Sequence, residues 1–236
     1  MFYGKQKAVT FSFDDGVKQD LRVIEILNKY NLKCTFNLNS ARLGEEGVLE
    51  SRGVAADHSR FSAEEIRAIY EGHEVAAHTL THPNLVFIDD DQEIIRQVEQ
   101  DRLQLSELVG YEVVGFAYPG GDVNHNDHIV QLLKEHTGVR YARINGISKS
   151  FEAPADLFRF QGTVDTRSVP REELFAMADQ FLNASPDRPQ ILTVYGHSYA
   201  YDYVPGSWEV LEEFCAYISN REDIFYGTTR EVLLGE

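Results

Sequence analysis

Phe11-Ser12-Phe13-Asp14-Asp15-Gly16 sets two adjacent carboxylates at the end of an apolar, strand-like run. Such a pair repels itself and is costly to bury unless a cation sits beside it. Neighbouring residues also diverge in direction, so one carboxylate can hold a metal while the other faces a substrate. Taken alone, a strand-end Asp-Asp-Gly reads more simply as a turn or a helix cap. Further on, Glu74-Val75-Ala76-Ala77-His78-Thr79-Leu80-Thr81-His82-Pro83 places two histidines four residues apart, directly after another apolar run. One turn of backbone puts both imidazoles on the same side, a spacing suited to zinc-type ligands, and Pro83 biases the chain against continuing as helix. Read together, the pieces make a candidate Asp–His–His site, three protein ligands with room for water. Leu192-Thr193-Val194-Tyr195-Gly196-His197-Ser198 adds a histidine at a third strand end. By itself His197 reads as structural; beside the other two strand ends it becomes a candidate for chemistry.

These residues need elements that bring them together. Strand-like runs fall at Lys7–Phe13, Lys33–Asn37, Glu74–His78, Val113–Tyr118, Arg140–Arg143 and Gln190–Tyr195. Between them lie helical patterns: Val17, Leu21, Ile24 and Leu27 on one face; a run from Ser62 through Tyr70, with Glu65 placed for a capping box; and Ile94, Val98, Leu105 and Leu108 on another. Ile129, Leu132 and Leu133 continue the series, Pro170 opens a helix to about Leu182, and Ser207 is expected to cap the last long one. Alternating strands and helices predict parallel strands joined by crossover helices, either a barrel or a doubly wound sheet. In a barrel, strand ends of one sense gather around one mouth. No linker-like stretch divides the chain, so residues 1–236 are read as one domain. The connections 40–61, 144–157 and 196–206 are unusually long, and such loops are commonly functional.

Composition narrows the partners. The 236 residues carry 22 basic and 38 acidic side chains, a net charge of −16. That excess opposes binding to nucleic acid or an anionic membrane surface. No apolar run reaches the roughly 18 residues of a membrane helix, and no leader precedes the first strand, so a cytoplasmic location is the default expectation. Cys34 and Cys215 fit apolar patterns and read as small buried hydrophobes.

The motifs resemble those of the polysaccharide deacetylase family, the NodB homology domain of carbohydrate esterase family 4. Its Thr-Phe-Asp-Asp-Gly motif is met by Ser12-Phe13-Asp14-Asp15-Gly16, and its His-Ser/Thr-x-x-His motif by His78-Thr79-Leu80-Thr81-His82. Gly72-His73-Glu74 and Pro83 also look like the family, and the pieces run in order from about Ala8 to Leu233. The resemblance implies an α/β fold, a deformed (β/α)7-type barrel, with a divalent metal on Asp15, His78 and His82. Zinc is the first choice, with cobalt, nickel or manganese as alternatives. Asp14 would be the general base and His197 the general acid, although the family's Leu-x-His is here Val194-Tyr195-Gly196-His197, one residue longer. The arginine that supports the base in the family's third motif is replaced by Ala117, and Arg143 at the end of the next strand is the expected substitute. The Asp-x-x-Asp-Trp motif has no counterpart; the single tryptophan, Trp208, lies downstream of His197.

The expected activity is metal-assisted removal of an N-acetyl (or O-acetyl) group from a carbohydrate. A backbone N–H near Gly120 would help to stabilise the oxyanion. Tyr118, Tyr195, Tyr199, Tyr201 and Tyr203 cluster where a sugar could stack, or else pack a long loop. His125 and His128 are expected at the start of an exposed helix, and His58 in a surface loop. Two alternatives stand beside this reading: hydrolysis of another amide on the same framework, such as an allantoin-like ring, and a non-catalytic carbohydrate-binding relative. Oligomeric state is not readable from the sequence.

Overall fold

β1 (Lys7–Asp14) is the strand on which the fold is organised, and all eight of its residues are buried. The computed structural model describes residues 2–51, 53–121 and 123–236. Along one edge, β1 runs parallel to the whole of the later strand Gln190–His197, with Asp14 opposite His197. Its other edge is shared, Lys7–Val9 pairing with Ile224–Tyr226 and Phe11–Asp14 with Cys34–Asn37. Covered on both faces and both edges, such a strand reads as the near-continuous apolar run seen in the sequence.

In chain order the strands after β1 are β2 (Cys34–Leu38), β3 (Val48–Ser51), β4 (Val54–Asp57), β5 (Glu74–Ala77) and β6 (Gly115–Ala117). They continue with β7 (Tyr141–Ile147), β8 (Phe160–Gly162), β9 (Gln190–His197) and β10 (Ile224–Tyr226). The helices are α1 (Asp20–Lys29), α2 (Ile66–Ile69), α3 (Asp91–Val109), α4 (Asp127–His136), α5 (Arg171–Asn183), α6 (Ser207–Ile218) and α7 (Thr229–Leu234). The parallel order β1-β2-β5-β6-β7-β8 curls round until the segment after β8 reaches β9. There Val164 pairs with Val194, and the Tyr195 N–H donates to the Val164 carbonyl at 3.0 Å. The sheet is thus nearly closed into a barrel, with β10 as an extra strand beside β1. Its deformation is local: β5 and β6 meet through the single pair Ala77–Phe116, and the β7–β8 register shifts between Ile144 and Ile147.

The alternation of strands and helices was legible; several elements were not. The antiparallel pair β3–β4 lies within the 40–61 connection, and seven of its eight residues are exposed or half-buried, so no alternation marks it. β8 and β10 are three residues each, too short for a period to show. α2 is one turn rather than a run to Tyr70, although Glu65 accepts the Ser62 N–H at 2.8 Å as half a capping box would. Ser207 is the first residue of α6 rather than its cap; Gly206 precedes it at φ +81°, and the serine hydroxyl donates to the Tyr201 carbonyl. Cys34 and Cys215 are fully buried. Among the described residues, no helix is long and apolar enough to cross a membrane.

Candidate active site

The carboxyl ends of β1, β5, β7 and β9 meet at one mouth of the barrel, as parallel strands of a closing sheet must. Asp14 is 4% exposed there. Its Oδ2 accepts from an Arg143 Nη2–H at 2.6 Å, and its Oδ1 from the Asn37 amide at 2.8 Å. Arg143 also donates through Nε to the Ser12 hydroxyl at 3.0 Å and lies over the Tyr195 ring at 4.8 Å from its centroid. Burial pushes the Asp14 carboxyl up; the Arg143 guanidinium, then His78 and His197, outweigh it and hold the group below its ordinary value. A planar two-pronged guanidinium suits that task better than a point charge.

Asp15 sits at φ +80°, in the left-handed region unusual for a non-glycine. Its Oδ1 lies 3.5 Å from His82 Nε2 and 4.0 Å from His78 Nε2. One donor atom from each of Asp15, His78 and His82 falls within 4.8 Å of the others. Ligands about 2.0–2.1 Å from a tetrahedral ion stand roughly 3.3 Å apart, so modest closure would complete such a set. His78 Nδ1 is 2.7 Å from the Ala117 carbonyl, which assigns the proton to Nδ1 and leaves the Nε2 lone pair facing the mouth. The His78 backbone N–H donates to Asp101 Oδ2 at 2.8 Å, and the Asn39 amide donates to the carbonyls of His78 and Thr79. Burial lowers both imidazoles, His82 to about 4, so His82 is neutral near pH 7 and able to ligate. The histidine turn carries its own strain, with Thr79 at φ +66° and His82 at φ +65°. Buried Asp15 Oδ1 and His78 Nε2 have no hydrogen-bond partner among the described residues. Orphaned buried acceptors aimed at one point fit a divalent cation, which is what an Asp–His–His donor set accommodates.

A cavity of about 190 Å³ opens over these groups, lined also by Tyr118, Gly120, Gly121, Asn145, His197 and Tyr199. His197 Nε2 stands 3.8 Å from Asp14 Oδ2 and 3.9 Å from Asp15 Oδ2. The expected site residues therefore converge, with one exception. Tyr195 is absent from the cavity lining and lies beneath Arg143, its ring close against Gly162, so it faces the guanidinium rather than a ligand. Strand alternation puts Tyr195 and His197 on the same face, but only His197 lies at the end of the strand, so the difference is one of position along β9. Tyr118 reaches the cavity but is 3% exposed, and its own N–H is taken by the Arg143 carbonyl at 3.0 Å. Gly120 adopts φ +97°, and a side chain there would collide with Asn84 at 2.8 Å. Its N–H makes no backbone hydrogen bond among the described residues. Tyr201 is 1% exposed and packs on Trp208 and Phe13, so it belongs to the core.

His128 is exposed on α4 and paired with Asp91, whereas His125 is half-buried under the Tyr118 ring. His58, expected in a surface loop, is 8% exposed and lies 3.4 Å from Asp15 Oδ2. The only sequence signal for it was the length of the connection that carries it.

Residues 3–142, more than half of the chain, match the model of the family described as Polysaccharide deacetylase. The chain belongs to the polysaccharide deacetylase family. Among curated proteins it is similar to a peptidoglycan-N-acetylglucosamine deacetylase of Bacillus cereus, 29% identical over 120 residues, which is 50% of this chain and 38% of that protein. The chain thus matches well under half the length of that relative. Among solved structures it superposes on the peptidoglycan N-acetylglucosamine deacetylase Bc1960 with a TM-score of 0.58 at 20% identity, covering 98% of this chain and 90% of that one. It also superposes on BA3943 of Bacillus anthracis, a CE4 family pseudoenzyme, with a TM-score of 0.56 at 18% identity, covering 98% and 66%. At those identities the structural likeness speaks for the fold alone.

Proposed function

We propose that this protein is a metal-dependent hydrolase that removes an acetyl group, N-linked in the first instance, from a carbohydrate. The observation that carries the reading is the pairing of two unlike carboxylates. Asp14 is kept ionised by Arg143, and Asp15 faces two histidines with an unsatisfied oxygen between them. A pure binding module has little use for the first of these. A divalent cation held by Asp15, His78 and His82, zinc by preference, would supply Lewis acidity toward the acetyl carbonyl and toward a water.

Asp14, buried and ionised, takes a proton from the attacking water. The Gly120 N–H offers a donor to the carbonyl oxygen as negative charge develops on it. His197, opposite Asp14 on β9, delivers a proton to the departing nitrogen. An amine leaves poorly without that proton, so amide substrates depend on His197 more than esters do. Arg143 and Tyr195 hold Asp14 in place behind this geometry. The cavity of about 190 Å³ suits an acetamido-sized group with the rest of the sugar outside. A neutral acetylated glycan meets no repulsion from the −16 charge, and an amine product would be cationic.

The test is metal analysis of the purified protein together with acetate release from a panel of N- and O-acetylated saccharides. Release that requires the metal supports the reading. Saccharide binding with no release would make the protein a non-catalytic relative, and turnover of ureides or imides alone would move it to another class of C–N bond.

A further inference from the structure

The 40–61 connection folds back over the barrel mouth through β3 and β4, and its last residues meet the metal half of the site. His58 Nε2 is 3.4 Å from Asp15 Oδ2, and both side chains are buried. Arg60 donates through Nε to the Asp15 carbonyl at 3.1 Å. Val17 and Arg60 form an antiparallel bridge, and the Ser59 carbonyl accepts the Lys18 N–H at 3.0 Å. Residues 58–60 therefore run along 15–18. On the opposite side, the Asp15 N–H donates to the Asn37 carbonyl at 3.0 Å. A non-glycine held in the left-handed region is strained and persists only where its surroundings enforce it.

We propose that His58 and Arg60 form a clamp that presents Asp15 to the cation, Arg60 fixing its backbone and His58 holding Oδ2 so that Oδ1 stays turned to His78 and His82. The inference rests on the metal-centre reading above. His58 is a positioning residue and not a ligand, because its nitrogens are not part of the donor set formed by Asp15, His78 and His82. The ring is itself braced: Tyr199 meets it edge-on at 4.7 Å, and the neighbouring Gln19 amide ties down the Asp57 carbonyl at 2.7 Å. Outer partners that orient a ligand carboxylate raise affinity for the ion without touching it.

Zinc affinity, read by competition with a chromophoric chelator, tests the clamp, with the visible spectrum of the cobalt-loaded protein as a second readout. His58→Phe keeps a ring against Tyr199 and removes the donor; zinc should bind about 10–100-fold more weakly and the cobalt bands should shift. His58→Gln restores an N–H and should return affinity to within a few-fold of the parent. His58→Ala, free of ring strain, should lose affinity as the phenylalanine variant does, and far-UV circular dichroism of the metal-free proteins checks that each is folded. Should the parent bind neither zinc nor cobalt, the metal-centre reading falls and the clamp with it. Tight binding by the parent and equally tight binding by His58→Phe and His58→Ala overturns the clamp alone. A loss that His58→Gln does not restore also overturns it.

Discussion

Asp14 is held by groups that stand on strands, Asn37 on β2 and Arg143 on β7, and both also donate to the Ser12 hydroxyl on β1. The side chain of Asp15, its neighbour across one peptide bond, is met chiefly by groups that stand beyond strand ends, with His197 at the end of β9 3.9 Å away. His78 and His82 belong to the turn after β5, and His58 and Arg60 to the connection after β4. The strand-borne half has its buried charge matched and its hydrogen bonds made. The turn-borne half has left-handed backbone at Asp15, Thr79 and His82, and unsatisfied buried atoms on Asp15 and His78. A parallel ladder fixes side chains to within the register, so the base is preorganised by the sheet. Loops leave the other half to be completed by what it binds.

That contrast breaks if a change in one half registers in the other. The largest effect is expected from Asp14→Asn. Deacetylation should fall by about 10³-fold while zinc content is unchanged, as read by steady-state kinetics and metal analysis on the same preparation. Acetate release at the parent rate would remove Asp14 from the chemistry. Next comes Arg143→Met, which leaves a buried carboxylate without its cation and should destabilise the fold by about 3–5 kcal/mol in urea titration. Its second signature is a shift in the pH–rate profile. Arg143 holds the Asp14 carboxyl low, so its loss raises that group and moves the acid limb of the profile to higher pH, with zinc affinity unmoved. An acid limb that stays put would separate Arg143 from the base.

Asp101→Asn probes the other half with a smaller change. Asp101 accepts two backbone N–H groups, from Ser40 and His78, and an asparagine must turn its amide hydrogens toward one of them. Zinc affinity should drop by about tenfold while the acid limb of the profile holds its position. The smallest effect sharpens the comparison from outside both halves. Asp20 is fully buried, and burial pushes its carboxyl up to about 7 against the opposing effect of the hydrogen bonds it accepts from Tyr70 and Ser198. The folded chain then binds a proton that the unfolded chain releases between about pH 4 and pH 7, so stability falls as pH rises through that window. Asp20→Asn should flatten the decline in melting temperature between about pH 4 and pH 7 in the presence of a chelator; an unchanged slope would assign the titration to other groups.

Much of the site was legible because its chemistry is compressed into contiguous motifs. Asp14-Asp15 and His78 to His82 each lie within five residues, so the local chain already brings their functional atoms near one another. Arg143 was legible by a weaker argument, a strand-end arginine where Ala117 left a vacancy, and the parallel pairing of β6 with β7 puts those two residues opposite each other. Tyr195 was misplaced because a period of two says which face a residue takes and not how far along the barrel axis it lies. His58 and Arg60 were missed because nothing periodic marks a solvent-facing hairpin, and a histidine in such a loop ordinarily is exposed.

The sequence by itself determined the alternating α/β class, the acidic net charge, and the identity of the groups at the strand ends. Those properties are local or additive: hydrophobic periodicity, charge count and residue spacing. The tertiary structure supplied the contacts that the resemblance only implied, a guanidinium on Asp14 and two histidines facing Asp15. Residues 131 positions apart in the chain, Ser12 and Arg143, meet only because parallel strands close into a curved sheet. The path of the 40–61 connection back onto Asp15 was decided in the same way. Its course is set by contacts with residues 15–19, between β1 and α1, and with the turn after β9, none of which leaves a mark in its own residues.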